Sequence, residues 1–299
     1  MKQYLKRLVT SVFALVLFSA PCLARKDVQE DRSCDSDAPR ILRNGKTEII
    51  DSSLFRPSGV HGNHNVTVAS LPVSGSIGLK YVNKFLSEDA IQKLISFCDD
   101  RSGWTASPQN YGGDGTIVKA SRTSSSCPII LPLLYLPKLD LLRKSGRLTE
   151  AIEEEITFSW SLMQRIADFL EVDVGRIEPL QLIRYTPGQF YRQHHDHGSY
   201  YGVQTEQRPI TFLLFLSSMP SSDGGGHTRF GELDIAVLPR AGDGIIWSNV
   251  DNEGNILTEA VHEAVPPKDG GNFIKFAMNV WIAEEPIMKN IDAASYRTS

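Results

Sequence analysis

Two imidazoles and one carboxylate in this chain stand where they could share a metal ion. His194 and Asp196 lie in Gln193-His194-His195-Asp196-His197, and His262 lies well downstream in Ala260-Val261-His262-Glu263. Two histidines and a carboxylate leave three coordination positions open, the donor set of the facial triad that holds Fe(II) for oxygen activation. The spacing has a physical reason. Residues i and i+2 of a β-strand share a face, so His194 and Asp196 can reach one ion while His195 and His197 point the other way. His262, from a second strand, would close the site. A register slipped by one residue would instead offer His195, His197 and His262 to zinc and leave Asp196 without a role.

A second chemical feature follows downstream. From Ile274 to Ile282 the chain alternates, with Ile274, Phe276, Met278, Val280 and Ile282 on one face and Lys275, Ala277, Asn279 and Trp281 on the other. A cation on a strand that reads as mostly buried is costly unless an anion meets it, and a dicarboxylate co-substrate would supply one. A lysine snorkelling from a strand end is the alternative.

These groups need a rigid frame, and the chain reads as mainly β with flanking helices. The apolar runs Ile210 to Leu216 and Gly244 to Trp247 read as strands that wall a dry site. From Ile177 onward, short strands separated by Gly and Pro turns suggest a double-stranded β-helix of jelly-roll type, supported by N-terminal α-helices. Ser87 can cap a helix carrying Ile91, Leu94, Ile95 and Cys98 at helical spacing. A longer helix spans about Thr149 to Leu170, with an apolar stripe of Ile152, Ile156, Trp160, Met163, Ala167 and Leu170. Residues 25–75 are polar and lack periodicity, which predicts a linker or stem, with order beginning near Ile77.

With 299 residues, 41% hydrophobic, 22% charged and a net charge of -4, the chain can bury one large core and has no basic field for nucleic acid. Lys2, Lys6 and Arg7 precede the apolar run Leu8 to Ala20, and Cys22-Leu23-Ala24 offers small residues to a signal peptidase. Residues 1–24 are therefore expected to be a cleaved secretory signal, with a retained anchor as the alternative and no stable membrane insertion after cleavage. The expected location is the endoplasmic reticulum or Golgi lumen, or outside the cell. Cys34, Cys98 and Cys127 would then meet an oxidising compartment; Cys98 with Cys127 is the favoured bridge, since both fall inside the folded region. Asn65-Val66-Thr67 is a glycosylation sequon consistent with that route.

Taken together, the motifs resemble a family. Arg184-Tyr185-Thr186-Pro187-Gly188-Gln189-Phe190-Tyr191 followed by His194-x-Asp196 resembles the signature of the prolyl 4-hydroxylases among the 2-oxoglutarate and Fe(II)-dependent dioxygenases. Arg208-Pro209-Ile210-Thr211-Phe212-Leu213, Gly224-Gly225-Gly226 with Thr228 and Phe230, Pro239 to Asp243, Trp247, and His262 with Pro266 continue it in order. Ser121-Arg122-Thr123-Ser124-Ser125 is similar to a segment that precedes the family core. The resemblance implies a dioxygenase domain over residues 76–285 and a C-terminal tail over 286–299. The short length favours the single-domain plant and algal type over the animal α subunit.

The same resemblance implies that His194, Asp196 and His262 ligate Fe(II), and that Lys275, Tyr185 and Thr211 hold 2-oxoglutarate. O2 would be the oxidant, L-ascorbate a cofactor, and a proline-containing peptide the substrate, met by Arg122, Tyr191 and Trp247, with Tyr200 and Tyr201 as further aromatic candidates. An oxygenase of another side chain or of a small molecule remains open, because the metal donors fix the reaction and not the substrate. Two departures stand out. Asp269-Gly270-Gly271 lengthens the segment between His262 and Lys275, which makes Lys268 a rival cation, and His227 occupies a position where the family commonly has Glu.

Overall fold

The computed structural model describes residues 38–61, 64–107, 121–197, 208–219, 225–268 and 272–289. The predicted signal segment, Cys34, Tyr200, Tyr201 and the Asp269-Gly270-Gly271 insertion lie outside the described residues.

Two antiparallel sheets make the frame. The strands along the chain are β1 (Arg40–Arg43), β2 (Lys46–Ile49), β3 (Arg56–His61), β4 (His64–Ser70), β5 (Lys80–Asn83), β6 (Thr105–Ala106), β7 (Ser125–Pro128) and β8 (Gln181–Tyr185). They continue with β9 (Tyr191–His194), β10 (Ile210–Phe215), β11 (Thr228–Phe230), β12 (Ile235–Val237), β13 (Gly244–Ser248), β14 (His262–Ala264) and β15 (Lys275–Ile282). The larger sheet runs β3-β4-β5-β13-β10-β15-β8-β7-β6 and the smaller β2-β1-β12-β11-β14-β9.

Period-two alternation explains how the larger sheet is buried on both faces. In β10, Phe212 and Leu214 turn to one apolar cluster with Met278, Val280 and Ile282, while Leu213 and Phe215 turn to another with Phe230, Ile235, Val237 and Trp247. The first cluster lies under the helices and the second lies between the sheets. A continuous apolar run such as Ile210–Phe215 is the pattern expected of a strand covered on both sides.

The helices α1 (Glu88–Asp100) and α4 (Glu150–Leu170) cover the outer face; the short α2 (Pro132–Tyr135) and α3 (Leu139–Lys144) lie between them in the chain. Ser87 and Thr149 cap α1 and α4, each accepting from the amide three residues on, which satisfies a donor that the first turn leaves unpaired. The buried face of α4 is rotated from the expected stripe: it is Ile156, Ser159, Leu162, Met163, Ile166 and Ala167, with Ile152, Trp160 and Leu170 only half-buried. Two polar side chains lie on that face. Glu155 is buried with its carboxylate accepting from the Ile130 amide at 2.9 Å and paired with Arg101 at 3.2 Å, and Ser159 is fully buried beside it.

The linker expectation for residues 25–75 is corrected from Arg40 onward. There β1 pairs with β12, β4 pairs with β5, and Ile41, Ile50, Val66, Ala69 and Leu71 are buried. At the other end Ile287, expected in the tail, is buried in the core under the helices. No helix among the described residues is long and apolar enough to cross a membrane.

A disulfide joins Cys98 of α1 to Cys127 of β7, closing a sequence separation of 29 residues. Constraining a loop of that size in the unfolded chain contributes roughly 3–4 kcal/mol on the loop-entropy model. Reduction is expected to lower the denaturant midpoint. Equilibrium unfolding with and without reductant checks this; an unchanged midpoint would contradict it.

Candidate metal and co-substrate site

His194 ends β9 and sits directly opposite His262 in β14, so the pairing of two short strands brings the two imidazoles together. Their rings lie 4.2 Å apart between centroids. Asp196 lies just past the end of β9 rather than within it, and its carboxylate reaches both rings: Oδ1 is 3.6 Å from His194 Nε2 and Oδ2 is 3.7 Å from His262 Nε2. One donor atom from each of the three lies within 4.8 Å of the others.

Backbone carbonyls fix which nitrogen each histidine presents. His194 Nδ1 lies 2.8 Å from the Arg192 carbonyl and His262 Nδ1 lies 2.9 Å from the Ala260 carbonyl. A carbonyl can only accept, so each Nδ1 carries the proton and each Nε2 turns a lone pair toward Asp196. Burial, and then the His194 ring, pull the His262 pKa down to about 4, so that ring is neutral. Burial pushes the Asp196 carboxyl up, but the attraction of a proton on the facing His262 or His194 ring outweighs it, and the group is held well below the usual carboxylate range. Trp281 Nε1 also favours the carboxylate, although it is too poorly placed to form a hydrogen bond. Three converging lone-pair donors on buried side chains fit a divalent cation.

The zinc alternative loses its donors. His195 Nδ1 accepts from the His197 amide, so its other nitrogen carries the proton and donates to the Leu257 carbonyl at 3.0 Å. No lone pair of His195 remains for an ion.

A cavity of about 330 Å3 opens on the triad, and Lys275 stands in its wall. Lys275 is 1% exposed, and Nζ donates to Thr228 Oγ1 at 3.2 Å; among the described residues no carboxylate pairs with it. Burial lowers its pKa to about 7. A lone buried ammonium of this kind fits an anion. Lys268, the rival, is exposed. Tyr185 pairs with Lys275 across β8 and β15, is 1% exposed, and turns into the same cavity.

Thr211 departs from expectation. Its hydroxyl donates to Asp196 Oδ2 at 3.0 Å, and the threonine at the lysine is Thr228. Thr228 is held by a left-handed turn at Gly225 and Gly226, where a Cβ on Gly225 would come within 2.1 Å of the Pro266 carbonyl oxygen. His227 stays neutral, its pKa lowered to about 4 by burial and then by the Lys275 charge.

Of the expected substrate residues, Arg122 and Tyr191 stack in a column on the metal site. The Arg122 guanidinium lies 4.6 Å from the Tyr191 ring centroid, and that ring lies 3.5 Å from His194. Arg122 is buried, donates Nε–H to Ser124 at 2.7 Å, and keeps Nη2 without a partner among the described residues. Trp247 does not present a free aromatic face: it is 1% exposed, edge-on to His262, and its Nε1–H donates to Asn249.

Residues 180–283 match the family model of the 2OG-Fe(II) oxygenase superfamily. Prolyl 4-hydroxylase 13 of Arabidopsis thaliana is 34% identical over 150 residues, covering 44% of this chain and 53% of that protein. Over this region the chain resembles the prolyl 4-hydroxylases. A longer match, to the Arabidopsis thaliana protein named Probable prolyl 4-hydroxylase 9, is 28% identical and covers 82% of this chain and 81% of that one. A solved structure of a viral collagen prolyl hydroxylase from Paramecium Bursaria Chlorella virus-1, in complex with 2OG, is 22% identical at a TM-score of 0.47, covering 69% of this chain and 95% of that one. The chain spans about half the length of several of the curated prolyl 4-hydroxylases it matches.

Proposed function

We propose that this protein hydroxylates peptidyl proline at C4, using Fe(II), 2-oxoglutarate and O2, with L-ascorbate sustaining turnover. The observation that carries the reading is the pairing, in one cavity, of the His194, Asp196 and His262 donors with the buried cation Lys275. His194, Asp196 and His262 would hold the iron, and Lys275 with Thr228 and Tyr185 would take the distal carboxylate of 2-oxoglutarate. When bound, the iron and its co-substrate supply an oxidant able to hydroxylate an unactivated C–H bond, with succinate and carbon dioxide as co-products. The strands β10, β13 and β15 exclude water from that chemistry, which protects it from side reactions.

The substrate reading rests on Arg122 and Tyr191. A buried guanidinium with a nitrogen to spare can donate to a peptide carbonyl without reading a side chain. A polyproline II segment is pre-ordered and lacks internal hydrogen bonds, so its carbonyls are available and its docking costs little entropy. The named activity of the matched relatives agrees with this class. No basic field invites nucleic acid. The Cys98–Cys127 disulfide supports a secretory lumen or the cell exterior as the place of work, as do the signal-like residues 1–24 and the exposed sequon at Asn65. Incubating the protein with iron, 2-oxoglutarate, ascorbate and proline-rich peptides, then weighing the peptides, tests the substrate class. A free amino acid gaining oxygen while every peptide stays unchanged would move the reading to a small-molecule oxygenase.

The charge of Lys275 gives a pH dependence. Below its pKa of about 7 the ammonium is ready for the carboxylate; above it a proton must be taken up on binding, and each pH unit is expected to cost about tenfold in 2-oxoglutarate affinity. The Michaelis constant for 2-oxoglutarate should therefore rise as pH increases above neutrality. A constant value over the two units above neutrality would contradict a lysine that must recharge.

A further inference from the structure

We infer that Asn249 is a positioning residue for the metal site, acting as the hub of a directed hydrogen-bond relay that aims two ligands from different parts of the chain. Asn249 follows β13 and is 0% exposed. Its side chain makes three hydrogen bonds. Oδ1 accepts from Trp247 Nε1 at 2.9 Å, and Nδ2 donates to the Arg208 carbonyl at 2.9 Å and to Thr211 Oγ1 at 2.8 Å.

The direction of each bond follows from the groups themselves. An indole N–H can only donate, so the atom facing Trp247 must be the amide oxygen, and the nitrogen must face Arg208 and Thr211. With the Thr211 oxygen accepting from the amide, its own proton is free to point onward, and it donates to Asp196 Oδ2 at 3.0 Å. The relay therefore delivers a proton donor to one oxygen of the metal carboxylate, which fixes the plane of that carboxylate.

The other arm reaches His262. Trp247, oriented through its N–H to Asn249, packs edge-on against the His262 ring at 4.8 Å and against Phe230 at 5.3 Å. One amide thus holds Asp196 through a hydroxyl and His262 through an indole. The backbone of Asn249 is tied as well, its N–H to the Pro209 carbonyl and its carbonyl to the Leu257 amide, so the hub does not move with either arm. Outer partners of this type usually contribute a factor of about 10–100 in metal affinity.

This inference rests on the metal reading above, and the test separates the two. Calorimetric titration of the metal-free protein with Co(II) first measures the unaltered site; no binding there would remove both the metal reading and this one. With binding in hand, Asn249→Ala and Thr211→Val are each expected to weaken Co(II) by about 10–100-fold. The double variant should weaken it no further than either alone, because both cut one relay. Thr211→Ser, which keeps the hydroxyl, should restore binding. Wild-type Co(II) affinity in a folded Asn249→Ala protein, or strictly additive losses in the double variant, would overturn the relay. If Asn249→Ala does not fold, Trp247→Phe removes the N–H that orients the amide. It should weaken Co(II) as well, and unchanged affinity would overturn the proposal.

Discussion

Alanine at His194, Asp196 or His262 is expected to reduce 2-oxoglutarate turnover to background while the protein stays folded. Each of the three supplies one of only three protein donors, and with two left the metal has no closed face to sit on. The fold should survive because its apolar clusters, one between the sheets and one beneath the helices, do not depend on these side chains. His195→Ala is the control. Both nitrogens of His195 are engaged away from the metal donors, by the His197 amide and the Leu257 carbonyl, so most of the activity should remain. Activity that depends on His195 and not on Asp196 would transfer the site to the other face of the strand.

Lys275→Ala is expected to lose 2-oxoglutarate affinity by roughly thirty- to several-thousand-fold, the range that corresponds to about 2–5 kcal/mol for truncating one member of a buried charge pair. The size of the effect comes from geometry. Lys275 is almost wholly buried, and among the described residues Thr228 is its one hydrogen-bond partner and no carboxylate pairs with it. Lys275→Met, which keeps the length of the side chain, separates charge from packing and should lose nearly as much. An unchanged Michaelis constant in both variants would move the carboxylate anchor elsewhere, and Arg122 would be the first place to look.

The parts of this protein legible in its sequence are those set by local periodicity. Alternation placed Lys275 and Trp281 on one face of β15 and Met278 and Val280 on the other, and the structure divides them the same way between cavity and core. Ser87 announced the start of α1 because a capping hydroxyl is a local requirement. The i, i+2 spacing of His194 and Asp196 was readable for the same reason.

What escaped is set by tertiary register. The strands β1 to β4 looked like linker because they are edge hairpins that bury few side chains; every residue of β2 is exposed. The motifs point to Thr211 beside Lys275, and only the pairing of the sheets puts Thr228 there and Thr211 at Asp196. Asn249 gave no signal at all: an asparagine after a strand reads as a turn residue, and only the approach of Thr211 and Trp247 makes it a buried hub. The inward Glu155 of α4 escaped for a related reason, as its partners Ile130 and Arg101 come from other elements.

The account is tested most directly by running the reaction under heavy-isotope dioxygen with a proline-rich peptide and following the label by mass spectrometry. Hydroxylation driven by this site should put one labelled oxygen into succinate and one into a proline of the peptide, with peptide label and succinate rising together. Labelled succinate beside an unlabelled peptide, or a peptide oxygen that comes from water, would contradict the proposal that this chain is a peptidyl-proline oxygenase.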